Sequence, residues 1–327
     1  MRSRSMKRGA LLAAKLAVSL ALLAYLFATS DVQALEERVR TADLLMLGGA
    51  VGCYVAMLVL ATWRWQLLLQ AIGCVAPLRH LTASYLVATF FNNFLPSNIG
   101  GDVVRVRDGS RLTGSTTASL AVVGIDRILG FGALYVLAAL AFSLAGAQVR
   151  ELAGARAVIG GLAVVFVALA YVFFRPGVAR RFMALSRLSA IDWVRDRFEV
   201  AQGAVHSYRA QMPRMFLAFG ASIALQAFVV WYFLAVARGL RIPLGMSAAF
   251  LMVPLCTLLQ AVPVSFNGWG LREGLFALYF AQVGLSRESA LAFSLVGAGL
   301  IVLLSLSGAV VWLARGNGPD LPSPTAA

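Results

Sequence analysis

Long apolar runs separated by short polar joints dominate this chain. Read against the ~20 apolar residues that a bilayer-crossing helix needs, the pattern predicts full spans at 9–28, 44–69, 118–145, 156–174, 215–237 and 289–314. Three shorter apolar segments, at 80–95, 246–262 and 271–283, break that plan. The first runs into FFNNFLPSNIGGDVVR at 90–105, where asparagines, a proline, a glycine pair, an aspartate and an arginine follow an apolar helix. Pro96 lacks an amide donor and disfavours helix at the residue before it. Gly100 and Gly101 permit a turn that other residues resist. The second segment breaks in the same way at Pro263. Residues 175–214 form a long basic stretch, and 316–327 is a Pro-rich polar tail that reads as disordered.

Arginines set the expected orientation, because basic residues collect on cytoplasmic loops. Arg2, Arg4, Lys7 and Arg8 head the chain, and eight arginines lie between Arg175 and Arg214. Both regions are expected to be cytoplasmic. A full crossing at 80–95 would put Arg105, Arg107 and Arg111 outside, and the segment 175–214 with them. A hairpin over 80–117 that enters from the cytoplasm and returns restores agreement. Non-helical backbone at membrane depth survives only beside protein or water, and Asn92, Asn93, Ser97 and Asn98 are suitable partners for it.

The break repeats. LPSNIGGDVVR at 95–105 is similar to VPVSFNGWGLRE at 262–273, with Pro96 and Pro263 placed 167 residues apart. Flanking spans recur at nearly the same offset. Residues 1–150 then form a first membrane repeat and 151–315 a second, with hairpins at 80–117 and 246–283. Each repeat has three full spans, so the second is inverted relative to the first. The expected fold is an all-α polytopic membrane protein with six full spans and two re-entrant helical hairpins in an inverted-topology repeat. Broken helices that meet near the midplane are a transporter plan. Coincidence between two Gly/Pro turns is the plainer reading.

Composition sharpens the membrane reading. Of 327 residues 60% are hydrophobic and 13% charged, against the roughly one quarter charged in soluble domains. The net charge of +14 is mostly arginine, since Lys7 and Lys15 are the only lysines. It suits anionic headgroups better than nucleic acid, for which no motif is present. Cys53, Cys74 and Cys256 are scattered and there are two histidines, so neither a metal nor a disulfide framework is expected. No GxxxxGK[ST] loop occurs, and no cofactor is expected. The basic-then-apolar N-terminus is signal-like, but the run is long and contains Lys15, so it reads as a retained first span.

Asn92-Asn93 through LPSNIGGDVVR, then Arg111, GIDRILGFGAL at 124–134 and VPVSFNGWGLREGLF at 262–276, resemble the lysylphosphatidylglycerol synthase transmembrane-region family of flippase-like membrane proteins. The resemblance covers roughly residues 9–315. Fused members carry a soluble aminoacyl-transfer domain after this region. The resemblance therefore implies the flippase-like part alone, without synthase activity. Members are linked to phospholipid, hopanoid and polyprenyl-lipid pathways, so it leaves the substrate open.

The candidate substrate-binding residues gather at the two breaks and in one span. At the first break they are Asn92, Asn93, Pro96, Gly100, Gly101, Asp102, Arg105 and Arg111; at the second, Gln260, Pro263, Asn267, Gly268, Gly270, Arg272 and Glu273. Exposed amides at a helix start hold phosphate, and arginine adds bidentate contacts. Arg105, Arg107 and Arg111 read alternatively as topology anchors. Asp126 and Arg127 lie inside a span, where a charge costs roughly 2.5–3.5 kcal/mol. Adjacent helix residues diverge by ~100°, so each needs a partner elsewhere: Arg127 with Glu273 or Asp102, Asp126 with Arg272 or Arg105. These form a functional site or a structural ion-pair network. Lys15 and Arg64 read as snorkelling residues, with Trp63 and Trp65 in the interfacial belt. Trp269 reads as an interfacial anchor or a cavity wall. Gly48, Gly49, Gly52, Gly160 and Gly161 read as helix-packing sites.

These features favour a flippase or transporter for a phospholipid or other anionic, polyprenyl- or hopanoid-type lipid in the cytoplasmic (inner) membrane, with both termini cytoplasmic and Asp126 or Glu273 as candidate proton carriers. Membrane lipids are the expected partners. One alternative is a non-transporting partner of lipid-synthesis enzymes, docked through 175–214. The other is an intramembrane lipid-modifying enzyme using Asp102, Asp126 and Glu273 as acid–base groups, although no nucleophile–base pair accompanies them.

Overall fold

Helix starts and stops follow local chemistry. In the computed structural model, Asp43 caps the first long helix by accepting hydrogen bonds from the Leu45 and Met46 amides at 2.8 and 3.3 Å. Ser286 caps the last helix by accepting from Ser289 N at 3.2 Å. The structure describes residues 17, 20–22, 24–95, 100–144, 146, 152, 154–175, 177, 181, 203, 205–261, 265 and 267–315. Most of the expected first span, most of the basic stretch 175–214 and the tail 316–327 lie outside the described residues, as do Lys15, Pro96, Ser97, Asn98 and Pro263.

Helices follow in the order α1 (Val32–Arg40), α2 (Leu44–Ala71), α3 (Leu78–Phe94), α4 (Gly100–Thr113), α5 (Thr116–Leu144), α6 (Ala155–Phe174), α7 (Met212–Gly239), α8 (Met246–Gln260), α9 (Leu271–Gln282) and α10 (Arg287–Ala314). Among the described residues no strand occurs. Five helices, α2, α5, α6, α7 and α10, are long and apolar enough to cross a membrane. This is a multi-pass membrane protein. The hydrophobic pattern did not predict α1, a short polar helix that packs on α10.

The two interrupted segments fold as helix pairs. Cys74 Sγ lies 3.5 Å from Leu112 O, Ser84 donates to Asp108, and Asn92 meets Gly101. These contacts close in antiparallel order, so α3 and α4 form a hairpin. A Cβ on Gly101 would stand 2.2 Å from Ala88 O, which only glycine allows. Helices α8 and α9 pair in the same way around Gln260 and Gly268.

Packing between the halves is reciprocal. Helix α7 lies along α2 as the most extensive pair, α3 packs on α10, and α8 packs on α5. Lipid offers no hydrophobic drive for such contacts, so close fit must supply it. At the α3–α10 crossing a Cβ on Gly308 would stand 2.1 Å from Leu86 O. Phe233, Phe276, Phe280 and Phe293 knit α7, α9 and α10, with ring centroids 4.9–6.3 Å apart. The glycines expected at helix contacts are elsewhere: Gly48, Gly49, Gly52, Gly160 and Gly161 have nothing within 4 Å of a notional Cβ. Close crossings instead use Gly109, Gly239, Gly297 and Gly308, which sequence spacing does not distinguish.

Candidate functional site

The first hairpin delivers its charges to the middle of a span. Arg105 sits one turn into α4 from Gly101, and Asp126 lies ten residues into α5. Arg105 is 5% exposed and Asp126 2%. Arg105 Nη1 donates to Asp126 Oδ2 at 2.8 Å. The other carboxylate oxygen, Oδ1, is 2.6 Å from Arg64 Nε of α2. Arg64 Nη1 also donates to Ser222 Oγ of α7 at 3.0 Å. The Arg105 guanidinium lies over the rings of Trp65 and Tyr85, at 4.8 and 5.0 Å, an arrangement that favours the cation. Next to this trio Asp102 pairs with Arg127 and lies 4.0 Å from Arg105.

Two of the expected ion pairs thus form, Arg127 with Asp102 and Asp126 with Arg105. The alternatives that reached across to Arg272 and Glu273 do not. Arg64 is a correction. It is 5% exposed and buried against Asp126, where the sequence suggested snorkelling. Trp65, expected in the interfacial belt, is fully buried, while Trp63 stays on the surface. The helical turn of ~100° per residue turns Arg64 and Trp65 inward and leaves Trp63 outward. No local signal separates these neighbours, because the partner Asp126 is remote in sequence.

The second hairpin carries its own charges. Arg272 Nε and Nη2 both donate to Glu273 Oε1, at 3.0 and 2.6 Å. Ser294 Oγ of α10 donates to the same oxygen at 2.8 Å, and Glu273 Oε2 accepts from Gly270 N at 2.7 Å. The Arg272 guanidinium lies 4.8 Å from the Trp269 ring. Trp269 is therefore half-buried and tied to Arg272 of the site. Glycines with positive φ, Gly268 at 80° and Gly270 at 79°, shape this turn with Asn267 at 51°.

Among the described residues one bond joins the hairpins near their tips: Asn267 Nδ2 donates to Asn93 O at 3.2 Å. Asn93 Nδ2 in turn donates to Thr89 O at 3.2 Å. Asn267→Ala is expected to cost about 1 kcal/mol for the bond and about 1–2 kcal/mol for alanine in the left-handed region. Asn267→Gly removes only the bond. A thermal midpoint order of wild type, glycine, alanine is expected; alanine matching wild type would refute the joint.

Two of the glycine amides expected to hold an anion, those of Gly101 and Gly270, are filled. Gly101 N donates to Asn92 Oδ1 at 2.7 Å, and Gly270 N to Glu273. Gln260 Oε1 would be 3.0 Å from a Cβ on Gly268, so it lines the second turn. Gly100 packs against Leu95. Arg111 is exposed in the last turn of α4, ten residues from Gly101 and so about 15 Å along the helix. It stays apart from the cluster, as does the exposed Arg107.

A third polar cluster, unforeseen in the sequence, lies at that end. Arg315 Nη1 approaches Asp108 Oδ2 at 3.3 Å and Nη2 donates to His80 O at 3.1 Å. The end of α10 is thereby fixed to both arms of the first hairpin.

A family model described as the lysylphosphatidylglycerol synthase TM region matches residues 12–308. The chain belongs to the lysylphosphatidylglycerol synthase transmembrane-region family. Both hairpins and every ion pair of these three clusters except Arg315 with Asp108 fall inside the match. Membership in this family makes the chain a lipid-related membrane protein. A comparison with curated proteins gives no match.

Proposed function

We propose that this protein moves a lipid with an anionic headgroup across the cytoplasmic membrane, through a polar path between the two hairpin tips. The observation that carries the reading is the buried Arg64–Asp126–Arg105 trio, built on a broken helix whose tip bonds to the tip of the other hairpin. Charges at this depth are costly and mark substrate pathways. The two hairpins read as re-entrant halves of an inverted repeat that includes six full spans. The reciprocal packing of α3 on α10 and α8 on α5 supports this. Arg107, Arg111 and Arg315 share one end of the molecule, and the positive-inside rule assigns that end, with both termini, to the cytoplasm. Transport is favoured over lipid-modifying chemistry because Asp102, Asp126 and Glu273 are each committed to a guanidinium.

Reconstitution into proteoliposomes with fluorescent phospholipids and a polyprenyl phosphate tests this directly. Wild type is expected to speed headgroup movement. Arg272→Lys keeps a cation beside Glu273 but loses the planar fork and the stack on Trp269. It is expected to insert normally and to lower the rate by about tenfold. Monodisperse wild-type protein that moves neither lipid class would sink the reading.

A further inference from the structure

The two repeats differ at one edge of one guanidinium. Arg105 and Arg272 stand 167 residues apart, at the same place in their motifs. Arg272 presents the side-on fork of Nε and Nη2 to Glu273 Oε1. Arg105 uses Nη1 for Asp126, and its Nε and Nη2 are buried with no hydrogen-bond partner among the described residues. The residue after Arg105 is Val106 where the residue after Arg272 is Glu273. The first hairpin therefore builds the same fork and omits the carboxylate that fills it. The Trp65 indole N–H beside Arg105 is also buried without an acceptor.

Charge points the same way. Arg64 and Arg105 share Asp126, and Asp102 pairs with Arg127 and lies 4.0 Å from Arg105, so three guanidiniums face two carboxylates. Every unfilled group on Arg105 and Trp65 is a donor, so the missing group is an acceptor carrying negative charge. Unmade buried hydrogen bonds of a charged group are costly, and a guanidinium fork matches phosphate bidentately.

We infer that the Nε/Nη2 edge of Arg105 is the binding site for one singly charged phosphate diester of a lipid headgroup, standing where the Glu273 carboxylate stands in the other repeat. The inference rests on the transport reading and names the substrate chemistry of that site. Arg64 sets the charge: by sharing Asp126 with Arg105 it leaves the cluster one anion short. The edge is buried in this conformation, so a headgroup reaches it only when the surrounding helices separate.

The test is equilibrium binding to the full chain in a neutral detergent. Probes are dioctanoyl phosphatidylglycerol, a galactosyl diacylglycerol that lacks phosphate, and inorganic phosphate. Phosphatidylglycerol is expected to bind tighter than the galactolipid by about tenfold or more, the lower range of a charge-assisted hydrogen bond. Inorganic phosphate binding as tightly as the lipid would overturn the lipid assignment. V106E places a carboxylate beside the fork, as in the other repeat, and is expected to abolish the preference. V106Q, of the same size without the charge, is expected to keep it. Equal binding of both lipids by wild type, or equal loss in V106E and V106Q, overturns the inference. If V106E fails to fold, the wild-type comparison still decides. Lipid movement without phosphate preference would overturn this inference alone; preference without movement would overturn the transport reading alone.

Discussion

Asp126→Ala is expected to be the most destabilising single change in the protein, costing about 3–5 kcal/mol. Asp126 is 2% exposed and sits between two guanidiniums, Arg64 at 2.6 Å and Arg105 at 2.8 Å. Alanine leaves both cations buried and adjacent, with no carboxylate between them. Burial makes each unpaired cation expensive, and their repulsion adds to it. The loss spreads, because Arg64 belongs to α2 and bonds to α7, whereas Arg105 belongs to the hairpin. Arg127→Ala is the contrasting case. Its side chain is 39% exposed, so its pair with Asp102 is solvent-screened and expected to contribute under about 1 kcal/mol. Fluorescence-detected size exclusion and thermal midpoints in detergent measure both. An Asp126→Ala protein as stable as Arg127→Ala would show that the trio is not a structural joint.

Gly101→Ala is expected to disrupt the first hairpin, at about 1–3 kcal/mol or more, and to abolish lipid movement. The new methyl would lie 2.2 Å from Ala88 O and 2.7 Å from the Asn92 side chain. Asn92 can swing away, but the carbonyl belongs to helix α3 and cannot. The two arms must part, the Gly101–Asn92 bond breaks, and Arg105, one turn further on, leaves Trp65 and Asp126. Gly48→Ala is the control, since nothing lies within 4 Å of its notional Cβ. Wild-type stability and transport in Gly101→Ala would overturn the close approach of the two arms.

Sequence by itself determined the membrane class, because composition and run length suffice when the solvent is lipid. It determined where helices break, because Pro and Gly act locally on the backbone. Helices α3 and α4 flank the first break and lie within four residues of the expected hairpin bounds. It also named Asp102, Arg105, Arg272 and Glu273 as the candidate partners of Asp126 and Arg127, since a charge inside a span demands a partner and few were at hand. Tertiary structure decided which partners were taken. Arg64 and Trp65 differ from Trp63 only by their angle on α2, and that angle acquires meaning when α2 packs against α5 and α7. Ser222 and Ser294 carry no sequence signal, because a serine in a span is ordinary until an arginine or carboxylate reaches it. Asp108 and Arg315 meet only because α10 returns to the first hairpin. Arg105 and Arg272 read alike in sequence, and only the packed side chains separate the fork that is filled from the one that is not.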